Sequence, residues 1–169
     1  MVVLPLVTYL SNGWMIGWAS APYNRAWAQA FPKRAAIMAA TGPAANLAIL
    51  LIAFVAMKAG LAADIFTQPF HSDMSKVVIS RTAGWAYLAA RFLSIAFTLN
   101  LILFAFNLIP LPPLDGSAMI KFFLPDSLAL GYDRLISHPA AALAGLAVAW
   151  FVFPKFGGSL LRFGINMLY

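Results

Sequence analysis

The chain has 169 residues, of which 63% are hydrophobic and 9% charged; ordinary soluble domains run at about 45–50% apolar and about 25% charged. With a mean hydropathy of +0.85, it has too little polar surface to coat an aqueous globule and too few charges to stay disordered. The net charge of +6 comes from basic residues scattered singly or in pairs through apolar sequence, a pattern of topogenic and interfacial charge rather than of a nucleic-acid surface. The expected solvent is the lipid bilayer. At about 20 residues per span, the length allows a handful of transmembrane helices and no large soluble domain. There is no cysteine, which removes disulfide and thiolate chemistry. All five acidic residues are aspartates, and glutamate is absent altogether.

The stretch 1–20 is apolar but broken by Pro5 and by Ser11-Asn12-Gly13. It lacks a basic leader, and Trp14 and Trp18 suit a membrane interface, so a re-entrant or interfacial segment is expected. Arg25, Lys33 and Arg34 then follow with no acid between them, and the positive-inside rule puts them in the cytoplasm. The region 1–34 is thus an interfacial or re-entrant segment with a basic loop, and Pro32 suits a helix entrance.

A charge-free apolar run predicts the first spanning helix over about 36–57, with Lys58 snorkelling at its far end. Ala35, Ala39, Gly42 and Asn46 share one face of it, where small residues admit a close neighbour. Pro43 is expected to kink it or loosen its backbone ladder. The stretch 60–82, with Asp64, His71, Asp73, Lys76 and Arg81, reads as an extramembrane loop whose charges nearly cancel. A second span is predicted over about 83–108, carrying Arg91 in its first third and Asn100 and Asn107 on nearly one face.

Pro110, Pro112 and Pro113 forbid regular helix immediately afterwards. The loop stays apolar, and irregular backbone at membrane depth is tolerated only where it is buried in protein or lines a cavity. A polar segment with Lys121, Asp126, Asp133 and Arg134 follows. The last apolar run, about 139–153, is short for a crossing and is broken by Lys155, Gly157 and Gly158. The tail beyond it lies at the interface or continues the span. The fold class is therefore all-α: a polytopic integral membrane helix bundle with an irregular proline-rich Leu-Asp-Gly loop at membrane depth.

Asp115 is the leading functional candidate, because a carboxylate at such a loop needs a cation, a metal or a water-filled cavity. The plainer alternative is an N-cap for the helix that starts near Ser117. Asn46, Asn100 and Asn107 fit either an active site or ordinary hydrogen bonds between membrane helices. His71 with Asp73 is a weak metal signal, and a solvated loop histidine explains it better. His138 precedes Pro139 at a helix entrance, on the expected side of Asp115, within reach of a loose contact.

Two motifs go further than composition. Gly42-Pro43-Ala44-Ala45-Asn46-Leu47 resembles the Gly-Pro-x-x-Asn motif of the site-2 protease family of intramembrane zinc metalloproteases. Asn107-Leu108-Ile109-Pro110-Leu111-Pro112-Pro113-Leu114-Asp115-Gly116 resembles that family's Asn-x-x-Pro-x-x-Pro-Leu-Asp-Gly motif nearly position for position. Gly17-Trp18-Ala19-Ser20-Ala21-Pro22-Tyr23-Asn24 is similar to the segment that precedes the first motif in compact bacterial members. The similarity extends over roughly 10–125. It implies a zinc peptidase core in which Asp115 is the third metal ligand and Asn46 and Asn107 support catalysis. It also implies that Pro110 and Pro113 help hold the substrate segment, and that Gly42, Pro43 and Gly116 shape the motifs. Transmembrane proteins are the implied substrates or partners, within the lipid bilayer and without nucleic acid. The implied location is a bacterial inner membrane, with 25–34 and Asp115 toward the cytoplasm.

The family's other two ligands and its general base come from His-Glu-x-x-His on the first core helix, and this sequence contains no His-x-x-x-His and no glutamate. Met1 falls within apolar sequence that reads as the continuation of a family domain. The expectation is thus an N-terminally truncated form that neither holds zinc tightly nor cleaves peptides alone. A catalytically dead membrane-binding pseudoprotease is the second reading, and an unrelated small transporter subunit the third. In domain terms, 35–125 is a partial protease-like core and 126–169 a C-terminal apolar helix with an interfacial tail.

Overall fold

A computed structural model describes residues 24–169. The interfacial segment expected over 1–20 lies outside the described residues, as does 17–23 of the similar N-terminal stretch. Helix α1 (Arg25–Ala30) opens under an Asn24 cap, whose side chain accepts the Trp27 N–H at 3.0 Å. Helix α2 (Pro32–Ala62) follows at once with Pro32 in its first turn, where a missing N–H costs nothing. The basic stretch expected as a loop is therefore largely helical. Arg25 begins α1, Lys33 and Arg34 lie in the first turn of α2, and the Arg34 guanidinium sits 5.0 Å above the Phe31 ring.

Among the described residues, three helices are long and apolar enough to cross a bilayer: α2, α3 (Trp85–Asn107) and α6 (Pro139–Asn166). Helix α2 runs five residues past the expected end at 57, through Lys58, because an exposed lysine at an interface does not stop a helix. It also runs unbroken through the buried Pro43, although proline removes the donor that would serve the Ala39 carbonyl. The Thr41 hydroxyl adds a bond to the Met38 carbonyl in the same turn, at 2.6 Å.

The break expected at Lys155, Gly157 and Gly158 is not there. Helix α6 continues past them to Asn166, with Pro154 inside it, so the stretch expected as an interfacial tail is mostly helix. Helix cost explains this: two glycines cost about 2 kcal/mol together, whereas a backbone opened in hydrocarbon leaves polar groups with no water to bind.

Helices α2 and α3 form the main pairing and are joined by 63–84. That connection carries an unexpected two-stranded antiparallel ribbon, β1 (Phe66–Thr67) and β2 (Ile79–Ser80), in register Phe66↔Ser80 and Thr67↔Ile79. Buried Ser94 on α3 holds the ribbon by accepting the N–H groups of Val77 and Val78 at 3.0 and 3.1 Å. The Tyr169 hydroxyl donates to the Val77 carbonyl at 2.6 Å, which brings the end of the chain to the same place. The core gathers here, with Leu50, Met57, Phe66, Val78 and Phe97 buried together. Alanines 36, 53, 86, 90 and 149 are buried, the small side chains that let membrane helices approach in the absence of a hydrophobic drive between them.

Beyond α3, a turn-rich loop leads to the short α4 (Asp115–Met119), a 3-10 turn (Ile120–Phe122) and α5 (Asp126–Ile136). Lys121 and Asp133 tie the last two together through a 2.7 Å ion pair, with the lysine 2% and the aspartate 15% exposed.

Candidate active site at the proline loop

The loop after Asn107 is a chain of tight turns. The Leu111 N–H bonds the Ile109 carbonyl at 2.8 Å, and the Leu114 N–H bonds the Leu111 carbonyl at 2.9 Å. The prolines supply no donors, so the few remaining N–H groups set the path. The Pro112–Pro113 bond is cis. The loop folds back until Gly116 abuts its own beginning: a Cβ there would lie 2.5 Å from the carbonyl oxygens of Leu108 and Ile109. Only glycine permits that approach.

This return places Asp115 against α2. A Cβ on Gly42 would lie 2.8 Å from Asp115 Oδ2, so the two motifs meet at the glycine of one and the carboxylate of the other. The N-cap alternative for Asp115 does not hold. Leu114 is the N-cap of α4, with no side-chain cap bond, and Asp115 is the first helical residue. Among the described residues its carboxylate accepts no hydrogen bond and makes no ion pair. Asp115 is half-buried against α2. It opens onto a cavity of about 280 Å³ lined by Ala35, Met38, Ala39 and Ala118.

Ala35, Ala39 and Gly42 thus share a face as the spacing predicts, and that face fronts the carboxylate. Asn46 lies one turn beyond Gly42 on the same side, half-buried. Asn107 is half-buried as the last residue of α3. Neither side chain forms a hydrogen bond with Asp115 or any other of the described residues. Asn100 does not bridge helices: its Nδ2 donates to the Ala96 carbonyl of its own helix at 2.8 Å. Pro110 and Pro113 are exposed. Pro112 instead packs inward, its carbonyl against Gly145 of α6 so closely that a Cβ there would collide. This brace and the Lys121–Asp133 pair were not found by sequence reasoning, because both join residues far apart in the chain.

The histidines lie elsewhere. His71 is exposed in the ribbon loop, at the other end of α2. His138 caps α6, its Nδ1 accepting the Ala140 N–H at 3.3 Å, and makes no hydrogen bond or ion pair with Asp115. No three metal-ligating side chains gather among the described residues, and 1–23 contains no His, Cys, Asp or Glu. A zinc ion needs at least three protein ligands. These residues therefore do not fit one by themselves: they offer a single carboxylate.

The described residues thus form an all-α bundle of membrane-length helices in which the proline-rich return loop sets a carboxylate against the Gly-Pro-x-x-Asn helix. Residues 17–128 match the profile of Peptidase family M50, and the chain belongs to that family, the site-2 proteases. A relative from Bacillus subtilis (strain 168), named "Putative zinc metalloprotease YwhC", is 32% identical over 116 residues, covering 64% of this chain and 44% of the relative. The chain therefore spans less than half the length of that protein. No solved structure matches.

Proposed function

We propose that the chain carries the aspartate half of a zinc-dependent intramembrane peptidase site that hydrolyses peptide bonds in transmembrane segments. The observation that supports this reading is Asp115 itself, an unpaired carboxylate set against Gly42 beside a cavity. In the proposed site Asp115 is the metal ligand of this chain. Asn46, a turn along α2 from Gly42, and Asn107, where α3 enters the loop, offer amide groups to an unwound substrate backbone. The exposed rings of Pro110 and Pro113 give that segment an apolar edge with no competing N–H donors. Hydrolysis further needs a His-x-x-x-His pair and a glutamate base, and the 169 residues contain neither, so by themselves they are proposed to retain no zinc and to cleave nothing.

Metal analysis of the purified 169-residue protein tests this, with less than about 0.1 zinc per chain after dialysis as the expected result. Stoichiometric, chelator-reversible zinc, with proteolysis lost in Asp115→Asn, would overturn it. The single carboxylate beside an intact cavity also favours a second reading, a binding module that holds transmembrane partners without cutting them. The coding sequence just upstream separates the two: an in-frame His-Glu-x-x-His there supports the peptidase.

The proposed setting is a bacterial inner membrane with the Asp115 end toward the cytoplasm, on the strength of Arg25, Lys33 and Arg34. Because the chain has no native cysteine, Ser72→Cys and Ser127→Cys can be labelled one at a time with an impermeant maleimide on intact cells. Labelling of Ser72→Cys alone is the expected result.

A further inference from the structure

The end of α3 opposite Asp115 carries a second feature that does not depend on the peptidase reading. Arg91 lies in a spanning helix, six residues on from Trp85, and is exposed. Its Nη1 donates to the Tyr87 hydroxyl at 3.3 Å. Both side chains line a small cavity shared with Ser75, Lys76, Val78 and Ile79. Two cations and a phenol thus face one space, and no carboxylate lines it.

None of the chain's five aspartates neutralises Arg91. Asp133 is taken by Lys121. Asp73 sits across the β-bridge from Lys76 and offsets part of that lysine's charge, while its Oδ1 is engaged by the N–H and hydroxyl of Ser75 at 2.7 and 2.9 Å, and it makes no ion pair with Arg91. Asp115 and Asp126 are at the other end of the bundle, and Asp64 forms no ion pair among the described residues. An exposed guanidinium two turns into a membrane helix reaches the headgroup level, and its planar fork suits the oxygens of a phosphate there.

The surroundings favour a lipid as the source of that phosphate. From the cavity toward the bilayer middle, Leu88, Phe92, Ile95 and Leu99 form an exposed apolar stripe, 66%, 72%, 42% and 51% accessible, at the spacing of one helix face. Trp85, 70% exposed, stands at the level where aromatic rings meet headgroups. We propose that the Lys76–Tyr87–Arg91 pocket binds the phosphodiester of an anionic phospholipid whose acyl chain lies along the Leu88-to-Leu99 stripe. An excess of positive charge selects a net-negative headgroup over a zwitterionic one.

The test is native mass spectrometry of the full chain purified from micelles doped equally with phosphatidylglycerol and phosphatidylcholine. Wild type is expected to retain phosphatidylglycerol preferentially. Arg91→Gln and Lys76→Gln are each expected to lower that retention about ten-fold, the scale of one lost charge-assisted hydrogen bond. Arg162→Gln, a cation outside the pocket, is expected to leave it unchanged. Tyr87→Phe keeps the ring and is expected to lower retention less, which preserves the test if Arg91→Gln fails to fold. A parallel arm titrates inorganic phosphate and follows its ³¹P line width. Broadening that needs Arg91 while lipid retention ignores it overturns the lipid assignment in favour of free phosphate. Equal retention of the two lipids, or phosphatidylglycerol retention unchanged in the Arg91 and Lys76 variants, overturns the proposal.

Discussion

The ion pair between Lys121 and Asp133 makes an asymmetric prediction. The lysine is 2% exposed and its only hydrogen-bond partner among the described residues is Asp133 Oδ1, at 2.7 Å, while the aspartate keeps 15% of its surface in contact with solvent. Asp133→Asn therefore leaves an ammonium buried beside a neutral amide, and the expected loss is about 3–5 kcal/mol. Lys121→Met removes the buried charge, fills most of its volume, and leaves a carboxylate that water can still reach; about 1–2 kcal/mol is expected. The double variant Lys121→Met with Asp133→Leu replaces the pair by apolar side chains and is expected within about 1 kcal/mol of wild type. Reversible unfolding in mixed detergent–SDS micelles reads all three. Because the 3-10 turn bearing Lys121 follows α4 directly, the Asp133→Asn variant is also expected to loosen the cavity beside Asp115. A loss below about 1 kcal/mol for Asp133→Asn, or equal losses for the two single variants, would show that the ammonium finds water and that the burial argument is wrong.

Three further outcomes follow from the geometry. Gly116→Ala forces a methyl onto the Leu108 and Ile109 carbonyls; a loss of about 2 kcal/mol or more is expected in the same unfolding assay, against about none for Gly131→Ala, where a Cβ meets nothing within 4 Å. Ser94→Ala strands the N–H groups of Val77 and Val78 in a buried site, with an expected cost of about 1–3 kcal/mol and faster amide exchange confined to 74–80; exchange that rises evenly over the chain contradicts it. Asp73 is held below the usual carboxylate value, chiefly by the Ser75 N–H and then by its hydroxyl. Its contribution to loop order is present above the unfolded value of about 3.9 and is lost as pH falls through the lower folded value. An NMR titration of the Ser75 amide is expected to show a midpoint below that of an unstructured aspartate, and a midpoint at or above it refutes the assignment.

The spans around Ala53 and Phe97 were legible because in hydrocarbon the hydropathy of a segment is nearly the whole of its folding instruction. The turn at Asp115 was legible because three prolines exclude helix whatever surrounds them. Endings were less so. Lys58 and Gly157 look like stops in a sequence, yet a helix that is already spanning absorbs one charge at an interface or a glycine at modest cost. Residues that act through distant partners left no local trace. Lys121 and Asp133, Pro112 and Gly145, and Ser94 with Val77 meet only because the helices bring them together. The contact of Gly42 with Asp115 was visible only through the family motifs, since 73 residues separate them and nothing in either segment specifies the other.

At 1.5 Å per residue, α2 is about 46 Å long and α3 about 34 Å, while a typical hydrocarbon layer is about 30 Å thick. The longer helix cannot match the lipid as its neighbour does, so it must incline, emerge or stretch the surrounding leaflets. The carboxylate rests on its first third. Acyl-chain length should therefore shift the depth at which Asp115 sits, making the thickness of the host membrane a physical control on how readily water reaches the loop.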